Sequence, residues 1–258
     1  MLPPLAEQRK IAQILLTWDD AIENYSALIA KTELKFAGLM ADLFTPSTKH
    51  RNVALSELVA SVKTKNSAGE TNVLTSSGKR GLVSQTEYYK KSVAGADISG
   101  YYMLEQGDFA YNRSSSNGYP FGAIKRLERY TRGVLSTLYL CFRLDKTDEI
   151  DGDYLTHFFE SGFLNRQLAA ICQEGARSHG LLNVAQSDFF QLVVPVPDIE
   201  RQRRIARTLN EAIAELELLE RQRTAVNEQK RGLMQKLLTG EIRVSGEGAT
   251  SSGEASIV

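Results

Sequence analysis

Four polar stretches hold the side chains with which this sequence could do chemistry. "LTSSGKRGLV" sets Thr75, Ser76, Ser77, Lys79 and Arg80 among glycines, and "YNRSSSNGYP" holds Asn112, Arg113, Ser114, Asn117 and Tyr119. "EGARSHGLLN" carries Arg177, Ser178, His179 and Asn183, and "IKRLERYTR" adds Lys125, Arg126, Arg129 and Arg132. Arg and Lys hold phosphates, Arg reaches guanine bidentately and Asn pairs with adenine. Glycine lets a backbone come close to a duplex. The chemistry these residues suggest is the reading of double-stranded DNA, although the same composition also fits ordinary solvated loops.

Catalytic patterns are missing. A methyltransferase needs a glycine-rich cofactor loop and an Asn/Asp-Pro-Pro-aromatic motif, and "YNRSSS" has the asparagine without the prolines. The sequence has no G-x-x-x-x-G-K-[ST] loop to cradle a nucleotide. His50, His157 and His179 are scattered, without Cys/His metal spacing, so no metal is expected. Ser178 and His179 adjoin in sequence, but neighbours seldom make a working nucleophile and base. Asp97, Glu105 and Asp108 read as isolated acids rather than a nuclease metal site. Binding, not catalysis, is the expectation.

The elements that must position these loops announce themselves by repetition. "GLMADLFTP" ends at Pro46 and "GLMQKLLTG" at Gly240. Ahead of them run "LPPLAEQRKIAQILL" and "VPVPDIERQRRIARTLN". Pro3 matches Pro197, Gln8 matches Gln202, Ile11 and Ala12 match Ile205 and Ala206, and Gly38 matches Gly232, every pair 194 positions apart. Ile11, Leu15, Trp18, Ile22, Tyr25, Ile29, Thr32, Phe36, Leu39 and Leu43 recur at steps of four and three. The shifted set is Ile205, Leu209, Ala212, Leu216, Leu219, Arg223, Val226, Lys230, Leu233 and Leu237. That is the 3.5-residue seam of a coiled coil, with Arg223 and Lys230 as misfits that either snorkel or mark a docking surface. The expected helix-packing residues are Ile11, Leu15, Trp18, Ile22, Tyr25, Leu209, Leu216, Leu219 and Leu233. One helix enters the middle region and the other leaves it, so packing makes them antiparallel. The glycine in each "GLM" predicts a close helix crossing.

Residues 47–194 read as one strand-rich mixed domain. "TNVLT", "YYMLEQGDFAYN", "YPFGAIKRL", "GVLSTLYLCFRL" and "DFFQLVVPVP" are β-rich runs separated by glycines, with a single helix expected over Asp153 to Gln173. The expected division is a helix over 1–46, this domain over 47–194, a helix over 195–244 and a disordered polar tail over 245–258. The fold class is α+β: a strand-rich domain flanked by two long helices that form an antiparallel coiled-coil stalk. A formal net charge of zero argues against coating nucleic acid by bulk attraction. Cys141 and Cys172 lie in apolar surroundings and read as core residues of a reducing cytoplasm. Neither a signal peptide nor a long apolar run is visible, so a cytoplasmic location away from the membrane is expected.

Taken together, these motifs resemble the specificity (S) subunits of type I restriction–modification systems. "LPPLAEQRKIAQIL" with "GLM", and "VPVPDIERQRRIA" with "GLMQKLLTGEIR", are similar to that family's conserved helices. "GLVSQTEYYKKSVAGADISGYYMLEQGDFAYNRSSS" through "GARSHGLLNVAQSDFFQLVVPVP" follows the order of one of its target-recognition domains. The resemblance implies a chain without an active site or cofactor of its own. It would bind double-stranded DNA and position methyltransferase (M) subunits, which use S-adenosylmethionine, and restriction (R) subunits. The family's usual chain has two recognition domains; this one has one, which suggests a half-length form that dimerises through its helices. The DNA-binding residues would be Thr75, Ser76, Lys79, Arg80, Arg113, Ser114, Asn117, Tyr119, Arg177, Ser178 and His179. A dimerisation scaffold with a protein-binding domain and the DNA-reading fragment of an adenine methyltransferase remain as alternatives.

Overall fold

The computed structural model describes residues 3–45, 50–89, 95, 97–174, 180 and 182–244. The elements in chain order are α1 (Leu5–Phe44), β1 (Arg51–Ala54), α2 (Leu55–Leu58), β2 (Val59–Ser61), β3 (Leu74–Ser77), β4 (Gly81–Ser84) and α3 (Gln85–Tyr89). Then follow β5 (Tyr102–Glu105), β6 (Phe109–Asn112), β7 (Ala123–Arg126), β8 (Arg132–Leu135), β9 (Leu140–Leu144), α4 (Gly152–Glu160) and α5 (Asn165–Ile171). The last are β10 (Gln173–Glu174), β11 (Leu182–Asn183), α6 (Gln186–Phe190), β12 (Val193–Val196) and α7 (Ile199–Thr239). They form two compact units, Met1–Leu39 with Asn210–Val258, and Met40–Leu209. The tail expected to be disordered, 245–258, lies outside the described residues.

The first unit is a helix pair. Every seam position that falls within it is buried or half-buried, including Arg223 and Lys230. Lys230 meets the carboxylate of Asp19, which neutralises the charge that the apolar pattern could not accommodate. Arg243 forks onto Glu7 with two 2.8 Å bonds, and this hydrogen bonding holds the Glu7 carboxyl below the usual carboxylate range. Residue 7 facing 243 and residue 19 facing 230 fix the helices as antiparallel.

The glycines of the repeat behave otherwise than expected. A Cβ on Gly38 or on Gly232 would meet nothing within 4 Å, so no close crossing occurs at either. Each glycine then costs helix stability without a packing gain. Gly38→Ala and Gly232→Ala should each stabilise the isolated chain by about 0.5–1 kcal/mol, read as a rise in the denaturation midpoint. No change, or a loss, would mean that something else occupies that space.

The second unit is built on an antiparallel sheet of order β2-β9-β6-β7. Hairpin β3–β4 and the pairs β5–β8, β10–β11 and β1–β12 surround it. The β1–β12 pairing, with Arg51 opposite Val196, brings entry and exit of the domain together. Val62, Leu74, Leu82, Leu104, Leu127, Leu135 and Cys141 form one buried cluster. Burial pushes the Cys141 thiol up to about 12, which leaves it an inert core residue. On the other side Phe109 stacks on Phe142 at 5.4 Å, with Phe159 edge-on to both.

The single helix expected over 153–173 is two, α4 and α5. Gly162, at φ +77°, supplies the left-handed residue that ends the first and redirects the chain. "DFF", expected as strand, is the short helix α6, whose Phe189 is fully buried against Tyr111 at 4.7 Å.

The two copies of the repeat differ in what covers them. Gln202 is 0% exposed; its amide donates to Pro197 O and to Glu149 O, and its carbonyl accepts from Asp151 N, each at 2.8 Å. Gln8 makes the matching 2.8 Å bond to Pro3 O but is exposed. Ala206 is buried where Ala12 is exposed. Phe44, 2% exposed, packs on Tyr154 and Phe158 of α4, whereas its counterpart Leu238 is 70% exposed. The starting end of α7 and the finishing end of α1 are thus covered within the second unit. At the opposite helix ends the counterparts Gln8, Ala12 and Leu238 are exposed, while Ile11 and Leu237 stay buried.

Candidate nucleic-acid interface

Hairpin β3–β4 reverses direction at Gly78, Lys79 and Arg80. Lys79 and Arg80 are exposed there, with Arg80 N donating to Ser77 Oγ at 3.3 Å. Thr75 is buried, its hydroxyl engaged by Tyr139, and Ser76 is half-buried, its N–H 3.4 Å from the same Tyr139 hydroxyl. The side chains free to meet a ligand are therefore those of the turn itself. Thr75 and Ser76 brace the strand behind it.

The β6–β7 loop carries the second group. Asn117 is exposed and Ser114 half-buried. Arg113 spends its guanidinium inside the domain, with Nε donating to Leu138 O at 2.9 Å and Nη1 to Val184 O at 3.4 Å. It ties this loop to two others. Ser115 N donates to Gly180 O and Leu182 N to Arg113 O, both at 2.8 Å, so the third predicted stretch lies directly beside the second. Arg177, Ser178 and His179 themselves fall outside the described residues.

Tyr119 joins the first group to the second. Its hydroxyl lies 3.1 Å from Gly78 O and donates to Glu160 Oε2 at 2.6 Å. Burial, with the Glu160 carboxylate beside it, raises the phenol well above its ordinary pKa, so it stays a neutral hydroxyl. A Cβ at Gly78 would come within 3.1 Å of the Tyr119 ring, which accounts for a glycine at the head of the turn. Lys125, expected as a further cation for a ligand, is 6% exposed and points into this junction. Arg126 pairs with Asp153 at 2.6 Å; Arg129 and Arg132 are exposed.

Three stretches scattered from 75 to 183 thus meet edge to edge, with exposed Lys79, Arg80 and Asn117. Sequence reading missed Glu160, which sits at the end of an amphipathic helix, and the exposed Leu138, whose carbonyl Arg113 grips. Only a neighbour in space identifies either one. Of the acids weighed as metal ligands, Asp108 bonds Arg143 at 2.8 Å and the Glu105 N–H at 2.9 Å, and Asp97 accepts from Ser99 N. Among the described residues no His, Cys, Asp and Glu group could hold a metal ion, and no helix is long and apolar enough to cross a membrane.

No family model matches the sequence. The specificity subunit of the type I restriction enzyme MjaVIII from Methanocaldococcus jannaschii is 25% identical over 94% of this chain. The HsdS subunit from Thermoanaerobacter tengcongensis shares the fold over 93% of the chain, with a TM-score of 0.58 at 16% identity. So does a chain from a structure concerned with complex assembly and conformational transition of the type I R-M system, with a TM-score of 0.54 at 16% identity. This chain spans about 60% of the length of these proteins. The long helices flanking a strand-rich domain are therefore the fold of a type I specificity subunit.

Proposed function

We propose that this chain is the non-catalytic DNA sequence-recognition subunit of a type I restriction–modification complex. In that role it reads one half of a bipartite site with the domain proposed at 47–194. The helices proposed at 1–46 and 195–244 act as spacer and dock M and R subunits. S-adenosylmethionine belongs to the M subunit, and the complex works in the cytoplasm. The observation that carries the reading is the joining of three separately encoded polar loops on a domain of this fold. A homodimer through the helices supplies the second half-site. Its support is the exposure of Leu16, Leu28 and Leu34 on α1 and of Leu218 on α7, together with the exposed Gln8, Ala12 and Leu238 near the helix ends.

The proposed base-reading and phosphate-holding side chains are Lys79, Arg80 and Asn117, with Arg177, Ser178 and His179, which lie outside the described residues. Thr75, Ser76, Arg113, Ser114 and Tyr119 shape the loops that carry them. Arg80→Ala should cost about 1–3 kcal/mol on the specific site and relax one base position. Lys79→Ala should weaken all sequences alike and lower the salt slope by about one. Fluorescence anisotropy on specific and scrambled duplexes, with the M subunit present, separates these. Unchanged affinity and preference in both variants would place the DNA elsewhere.

A further inference from the structure

Lys125 is the buried charge that the reading above leaves without a purpose. It lies on β7, 6% exposed, and an ammonium there is costly unless its donors are all taken. They are. Nζ donates to Gly78 O at 2.8 Å, to the Tyr119 hydroxyl at 2.7 Å and to Glu160 Oε1 at 2.6 Å. The second Glu160 oxygen accepts from the Tyr119 hydroxyl at 2.6 Å. Three acceptors from three separate segments converge on one cation. They are the head of the β3–β4 turn, the end of the β6–β7 loop and the last residue of α4. The turn is otherwise a short hairpin tip with exposed side chains, and such tips move unless they are tied.

We infer that Lys125, Tyr119 and Glu160 form a latch that fixes the Gly78–Arg80 turn against the β6–β7 loop, making Glu160 and Lys125 positioning residues for sequence discrimination. The inference rests on the proposed role of that turn in DNA reading. A base-reading arginine discriminates only if its backbone is held in register with the bases, because both hydrogen bonds of a bidentate contact must form at once. Phosphate attraction tolerates a shift of position and depends on charge alone. The latch should therefore govern preference and leave non-specific binding in place.

Tyr119→Phe removes the hydroxyl that links the three segments and leaves the ring; Glu160→Gln removes the counter-charge. In the full chain with its M subunit, each should lower affinity for the specific duplex about tenfold. Affinity for a scrambled duplex and the salt slope should stay as they were. Arg80→Ala should then add little to Tyr119→Phe, since the contact it deletes is already lost. Lys125→Met in the same complex should act likewise if it folds; if it unfolds, the other two variants decide. Hydrogen exchange supplies a readout independent of DNA: the hairpin amides beside the turn, with Arg80 N–H on Ser77 Oγ among them, should lose protection in Tyr119→Phe, with the β6–β9 ladder unchanged. A wild-type specific-to-scrambled ratio in both variants, or full protection of those amides, overturns the latch. Loosened amides in a chain whose wild type shows no sequence preference would instead sink the DNA-reading role and leave the latch standing.

Discussion

Gln202→Ala should destabilise the strand-rich domain by about 3 kcal/mol, while Gln8→Ala, the same change at the matching position of the repeat, costs at most about 1 kcal/mol. The two glutamines make the same local bond, to Pro197 O and to Pro3 O. Their surroundings separate them. Removing Gln202 leaves Glu149 O, Pro197 O and Asp151 N facing a space that water reaches poorly, and each unpaired buried group costs about 1–3 kcal/mol. Asp151 also caps α4, accepting from Asp153 N and Tyr154 N, so losing its anchor loosens the helix on which Phe44 rests. Gln8 is exposed, and water replaces what it loses. Phe44→Ala and Leu238→Ala should divide in the same way, about 3–5 kcal/mol against about 0.5 kcal/mol. Two compact units need not unfold together, so each needs its own probe. Trp18, the single tryptophan, reports the helix pair, and the near-ultraviolet tyrosine signal reports the domain. Equal costs at Gln202 and Gln8 would show that the repeat is stabilised locally and that its surroundings do not matter.

What could be read without coordinates follows from the range of the interactions. The helix seams were legible because a 3.5-residue period repeats over ten positions in each copy, and it sets which side chains share a face whatever covers that face. Lys230 broke the pattern because its partner, Asp19, lies 211 residues away. The glycines of "GLM" misled for the opposite reason. A recurring glycine was read as a packing contact, but nothing approaches either one. In the middle domain, strand runs were visible but short. "DFF" carries β-rich side chains, and its helix is set by where Phe189 must go, beneath Tyr111. The polar loops were legible in composition only. Whether an arginine reaches solvent, as Arg80 does, or grips two backbone carbonyls, as Arg113 does, depends on loops that composition cannot bring together.

The proposed two-fold assembly gives the largest expected effect on function. Gln8→Ala combined with Leu238→Asp should fold like the parent chain and fail to dimerise. Neither residue is covered, so neither substitution disturbs the fold. Yet Gln8 and Ala12 repeat Gln202 and Ala206, and the apolar Leu238 stands where Phe44 does, all three of which are buried in the second unit. A second copy laid along the helices would cover those exposed side chains. Covering one leucine contributes about 1.5–3 kcal/mol, and a two-fold interface counts it twice. An aspartate at both positions should therefore raise the dimer dissociation constant at least about a hundredfold. The DNA read by the dimer should be an inverted repeat with an unread spacer, because protein symmetry is mirrored in its site. Sedimentation of the chain with its M subunit measures the first expectation, and methylation mapping measures the second. A variant that sediments as the parent does would remove the helix ends from the interface. A methylated site with two unlike halves, in cells holding no other specificity polypeptide, would rule out the two-fold arrangement itself.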